Sequence, residues 1–151
     1  MKKFGTLLLT LLLCFTMIGC SKSKTTADIT KTLEKAGYTI SYKNKDLDEG
    51  INDNSVTIVK NKDGKLDTQF IYYITDNKIE ATAFIQAPKK DTDYKNMVIG
   101  FIYTDKSNSA PVNEDAKKTA DKIFKELKLT NDDLIKYSLD LHKEKTKSTK
   151  K

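Results

Sequence analysis

Residues 68–75 read Thr-Gln-Phe-Ile-Tyr-Tyr-Ile-Thr, and positions 70–74 of this stretch are all aromatic or β-branched. A short run of such residues, bounded by turn residues, is typical of a strand. Since the run is apolar at both odd and even positions, it predicts a strand in the middle of a sheet that is covered on both sides. We therefore expect this stretch to form the centre of the fold.

Four further strands are predicted around this run. They cover residues 38–42, 55–60, 79–86 and 97–103, and the last is again apolar on both faces. Short turn signals at 61–65 and 76–78 separate the middle three strands. Short turns between consecutive strands imply antiparallel pairing, so we expect a meander.

Three amphipathic segments predict helices. The first covers residues 27–36, with Thr26 as its N-cap and Gly37 as its left-handed end. The second follows Asn113 and the third follows Thr130, each after a residue suited to capping. The predicted fold class is therefore α+β, an antiparallel sheet of about five strands with one N-terminal and two C-terminal helices packed on it.

The first twenty residues predict export from the cell. Lys2 and Lys3 precede an apolar run that extends from Phe4 to Ile18 and ends at Gly19-Cys20. A positive start, a short apolar core and small residues at its end are the parts of a secretory signal. The run is also shorter than the roughly 20 residues that a membrane-spanning helix needs.

The ending Ile18-Gly19-Cys20 resembles the signal of small surface lipoproteins of Gram-positive bacteria, with Met17 where that signal usually has Leu. The resemblance covers these twenty residues only. It implies removal of residues 1–19, cleavage between Gly19 and Cys20, and a covalent diacylglycerol on Cys20. Membrane lipid is then the first expected partner, and the protein is expected on the extracytoplasmic face of the cell membrane. We expect no other cofactor.

The remaining chain divides into a short polar tether at 20–26, one α+β domain at 27–142 and a lysine-rich tail at 143–151, which is expected to be disordered. The signal segment and the tail together carry the whole formal excess of +6. Because residues 21–142 are neutral in sum, we expect no nucleic-acid partner. The alternative interpretation of the tail is contact with anionic lipid or wall polymer.

Metal-ligating residues are sparse. Both cysteines, Cys14 and Cys20, lie in the first twenty residues, and there is one histidine. An EF-hand loop counted from Asp46 would need Gly at its sixth position and Glu at its twelfth, and this chain has other residues there. We therefore expect no bound metal. The calcium alternative rests on Asp46, Asp48 and Asn52, whose oxygens suit a hard cation.

No catalytic constellation is evident. The chain has no Gly-x-Ser-x-Gly motif, and His142 is expected to be a solvated residue near the end of the last helix. We therefore expect a protein that is not an enzyme. An envelope hydrolase is the less favoured alternative, and it would need two carboxylates facing each other in a cleft.

Tyrosine is the abundant aromatic residue, with seven in the chain and no tryptophan. Tyr72 and Tyr103 lie within dense apolar runs and are expected in the core. Tyr38, Tyr42 and Tyr94 are candidates for an interaction surface, because amphipathic rings suit interfaces. The sequence thus predicts a membrane-anchored binding or protein-interaction module at the cell surface, with an envelope protein or other envelope component as partner. Small-ligand capture for transport or sensing is the alternative.

Overall fold

The computed structural model describes residues 24–46, 48, 50, 53–89, 94–104 and 111–148. The helices and strands, in chain order, are α1 (Thr26–Lys35), β1 (Tyr38–Lys43), β2 (Asn54–Lys62), β3 (Lys65–Thr75), β4 (Lys78–Gln86), β5 (Val98–Thr104), α2 (Glu114–Leu127) and α3 (Asn131–Ser148).

The five strands form one antiparallel sheet in the order β1-β2-β3-β4-β5, as the meander prediction requires. Two-residue turns connect β2 to β3 and β3 to β4. Asp63 and Gly64 in the first turn, and Asp76 and Asn77 in the second, all have positive φ. Positive φ at both central positions matches the right-handed twist of the flanking strands. The α+β fold class is confirmed.

All three helices pack on one face of the sheet. The Phe124 ring of α2 lies 5.1 Å from the Phe70 ring of β3, between centroids. The α1 side chains Ile29 and Leu33 and the α3 side chain Leu134 are buried in the same core. The core is therefore a single apolar layer between the helices and β1 to β5.

The prediction of a sheet covered on both sides is wrong, because among the described residues no helix covers the other face. Ile71 and Tyr73 of β3 point to that face and are half-buried. Their cross-strand neighbours there are small: Ser55 and Ala81 beside Tyr73, and Thr57 and Ala83 beside Ile71. Large side chains that pack over small neighbours shield part of this face without a second layer.

The strand predicted at 97–103 lies at an edge of the sheet. Its Ile99 is 55% exposed, and Tyr103, which was expected in the core, is 43% exposed. Apolar runs of similar composition thus have different burial in β3 and β5, because an edge strand has only one neighbouring strand to pack against.

The first helix starts one residue earlier than predicted. Its N-cap is Thr25, not Thr26: the Thr25 hydroxyl accepts a hydrogen bond from the Asp28 N–H, and the Asp28 carboxylate accepts one from the Thr25 N–H. This reciprocal pair satisfies two N–H groups at the helix start. Gly37 follows the helix with φ of 84°, as expected for a left-handed end.

The prediction of a disordered tail from Lys143 is wrong as far as Ser148, because α3 continues to that residue. No glycine or proline interrupts residues 131–148. The lysines in the last turn stabilise the helix, because their positive charges lie at the negative end of the helix dipole. Residues 149–151 lie outside the described part.

The segment before α2 closes the outer edge of β5. Asn113 donates from its N–H to the Phe101 carbonyl (2.7 Å) and from Nδ2 to the Ile99 carbonyl (3.2 Å). Its Oδ1 accepts hydrogen bonds from the N–H groups of Asp115 and Ala116 at the start of α2. One residue therefore caps the helix and pairs with the edge strand.

Gly100 is required by this arrangement, because a Cβ at position 100 would overlap the side chain of Asn113. We expect Gly100→Ala to lower the free energy of unfolding by about 1–3 kcal/mol, measured by urea denaturation. In an Asn113→Gly background the same substitution should be clearly less destabilising, since the colliding atoms are gone. Equal losses in both backgrounds would contradict the predicted overlap.

Candidate interaction groove

A groove of about 410 Å³ lies between α1, β1 and α3. Its floor is formed by Ile40 and Tyr42, which are both half-buried. The lining residues on the two walls are Thr30 and Glu34 of α1 and Tyr137, Leu141 and Lys145 of α3. The groove therefore combines an apolar and aromatic interior with charged side chains at its rim.

Tyr42 is held in the groove by a hydrogen bond to α3. Its hydroxyl lies 2.7 Å from Nδ1 of His142, and the two ring centroids are 5.7 Å apart. Burial raises the pKa of Tyr42, with Asp46 and Asp48 adding to the effect. The phenol therefore keeps its proton at neutral pH and bonds to the imidazole as a neutral group.

His142 is 6% exposed, so the prediction of a solvated histidine is wrong. Burial lowers its pKa, and the positive charge of Lys143 adds to the effect. The sequence did contain a signal for this burial, because His142 follows Leu134 and Ser138 at intervals of four residues on one side of the helix. Leu134 and Ser138 are fully buried.

Tyr137 connects the two walls of the groove. Its hydroxyl lies 3.1 Å from the Thr30 hydroxyl of α1, and its ring is buried. Burial raises the pKa of Tyr137, so the hydroxyl keeps its proton at neutral pH. The contact sets the distance between α1 and α3 at this end of the groove.

The three tyrosines predicted as an interaction surface are placed differently. Tyr42 lines the groove. Tyr38 is 5% exposed and belongs to the core, where burial, followed by the charge of Asp67, raises its pKa to about 12. The prediction of a surface role for Tyr38 is therefore wrong. Tyr94 begins a short 3-10 turn, Tyr94–Asn96, and its side chain lies outside the described part.

The calcium candidate is only partly described. Asp46 and Asp48 are exposed, and Asn52 lies outside the described residues. The Asp48 carboxylate accepts a hydrogen bond from the Asn44 N–H (2.6 Å), and the Asn44 side chain accepts one from the Asp46 N–H (2.9 Å). Within the described ranges, no three His, Cys, Asp or Glu side chains are grouped as metal ligands.

Gly19 and Cys20, the predicted cleavage and lipidation residues, lie outside the described part. Of the helices that the structure describes, none is long and apolar enough to span a membrane. No protein-family model, curated protein or solved structure matches the chain.

The buried histidine predicts a pH dependence of stability. His142 is the only histidine of the chain, and its folded pKa lies below the unfolded value near 6.5, so the folded state binds fewer protons. We expect the free energy of unfolding to be constant above about pH 7 and to fall as the pH decreases from 7 to 5. The slope for one proton is at most about 1.4 kcal/mol per pH unit.

The measurement is urea denaturation across this pH range, with His142→Gln as the comparison. The free energy of unfolding of the variant should change less between pH 7 and pH 5, because the remaining acidic groups are carboxylates, which titrate mainly below pH 5. The same slope in both proteins would show that His142 is not the group responsible.

Proposed function

We propose that this chain is a lipid-anchored binding module on the extracytoplasmic face of the cell membrane, which engages an envelope protein or other envelope component. The location rests on the resemblance of Ile18-Gly19-Cys20 to a lipoprotein signal. The binding role rests on the groove, and this is the observation that carries the proposal.

The groove shares two features with binding sites: it is concave, and its lining combines apolar side chains with polar groups that can orient a ligand. Here Ile40, Tyr42 and Leu141 supply the apolar surface, and Glu34 and Lys145 supply charges on opposite walls. Tyr42 is already fixed by His142, so its ring loses little freedom when a partner binds.

The proposed anchor limits the distance between domain and bilayer. Lys24 hydrogen-bonds the Lys128 carbonyl and forms an ion pair with Asp133 (3.2 Å), so it lies against the turn between α2 and α3. Four residue steps separate Lys24 from Cys20, and an extended chain of this length spans at most about 14 Å. With Cys20 lipidated, that turn lies close to the membrane surface.

Small-ligand capture is the second candidate function. The groove volume of about 410 Å³ falls within the range of small-molecule sites, roughly 300–1,000 Å³. A compound that stays bound through purification, detected by native mass spectrometry, would favour this function over protein binding.

The anchor is tested by Cys20→Ala, with Cys14→Ala as a matched control in the same apolar segment. We expect Cys20→Ala to abolish labelling by an alkyne fatty acid and to move the protein out of the membrane fraction or leave it as an unprocessed precursor. Cys14→Ala should behave like the unchanged protein. Fatty-acid labelling that persists in Cys20→Ala would refute the anchor.

A further inference from the structure

We propose that the groove and the adjoining edge of β1 bind an extended peptide segment of a partner protein, which pairs with β1 as an additional strand. This inference rests on the proposed function and specifies the chemistry of the partner. In such strand addition, backbone hydrogen bonds supply affinity, and alternate side chains enter pockets beside the edge strand.

The two edges of the sheet differ. β5 is closed, because Asn113 occupies the outward carbonyls of Ile99 and Phe101. β1 is open: within the described ranges, no backbone or side-chain group hydrogen-bonds to its outer edge. An added strand can therefore pair at β1 and not at β5.

The direction of the free backbone groups follows from the register. In an antiparallel sheet, each residue directs its N–H and C=O to the same side of the strand, and successive residues direct them to opposite sides. The backbone carbonyls of Ile99 and Phe101 face outward from β5, so the backbone of Gly100 faces inward and pairs with Phe84. The same alternation continues from strand to strand through β4, β3 and β2. It leaves Thr39 and Ser41 as the residues of β1 whose backbone groups hydrogen-bond to β2. The N–H and C=O groups of Ile40 and Tyr42 therefore point to the open edge.

Ile40 and Tyr42 thus contribute to the proposed site through both their side chains and their backbone groups. Their side chains form its floor, and their backbone groups are the free donors and acceptors beside it. A peptide paired with these two residues has its alternate side chains on the helix-covered side of the sheet, next to the groove. This coincidence of apolar lining and open backbone edge favours an extended peptide over a helix or a globular surface.

The lining also specifies the peptide side chains. Leu141 and the rings of Tyr42 and Tyr137 suit two apolar residues spaced two apart. Glu34 on the α1 wall suits a basic residue at one end of the paired segment. The intervening residues face the other side of the sheet, beside the exposed Thr39 and Ser41, and are expected to be polar.

The test uses the full-length protein in detergent micelles and short fluorescent peptides. One peptide alternates Leu with polar residues, a second has the same composition with its Leu residues adjacent, and a third is the first with alternate backbone nitrogens methylated. We expect the first to bind, measured by fluorescence anisotropy, and the other two to bind at least about tenfold more weakly. Equal affinity of the methylated peptide would overturn strand addition.

Variants of the protein locate the site. Leu141→Lys should weaken binding of the alternating peptide by at least about tenfold, because it places a charge among apolar lining. Ile99→Lys, an exposed position on the face without helices, should leave the affinity unchanged. Thermal unfolding of both variants checks that they are folded. Unchanged affinity in Leu141→Lys would overturn the assignment of the groove.

Photo-crosslinking in living cells from a reactive residue at position 141 separates this inference from the proposed function. An adduct with an extended segment of one envelope protein supports both. An adduct with a folded surface, or with a second copy of this chain, overturns strand addition and leaves the binding module intact. The lack of any adduct, together with no peptide binding, overturns both.

Discussion

Asn113 forms hydrogen bonds in two directions, and the asymmetry of the sheet depends on them. Its Oδ1 caps α2, while its N–H and Nδ2 occupy the edge of β5. Gly100 leaves room for this side chain. The start of α2 is thereby pinned to one edge of the sheet, and that edge is closed to further pairing. The edge of β1 has no equivalent closure among the described residues, so it is the edge available to a partner.

Three part-buried tyrosine contacts tie the helices to each other and to the sheet. Tyr42 bonds to His142, Tyr137 meets the hydroxyl of Thr30, and Tyr72 donates to Asn131. Buried polar groups need such partners, so each contact restricts where a helix can lie. Two of the three are at the groove. The shape of the groove is therefore set by specific hydrogen bonds as well as by apolar packing. We expect this surface to be formed before a partner binds.

Local patterns predicted most of the fold. The strands, the two-residue turns and the helix starts depend on residues close in sequence, and the alternation in β1 and the apolar run of β3 identified them. Burial was harder to predict because it depends on how the helices pack on the sheet. Tyr38 and Tyr103 both lie on edge strands, yet Tyr38 belongs to the core and Tyr103 is exposed. The groove joins α1, β1 and α3, and the capping signal of Asn113 gave no indication of its second contact with β5.

Amide hydrogen exchange of the ligand-free full-length protein, resolved by residue with NMR, tests most directly the claim that the β1 edge is open. The N–H groups of Thr39 and Ser41 bond to β2, whereas those of Ile40 and Tyr42 point outward. We expect the amides of Ile40 and Tyr42 to exchange much faster than those of Thr39 and Ser41. Equally slow exchange at all four amides would mean that the β1 edge is already covered and that a partner strand cannot pair there.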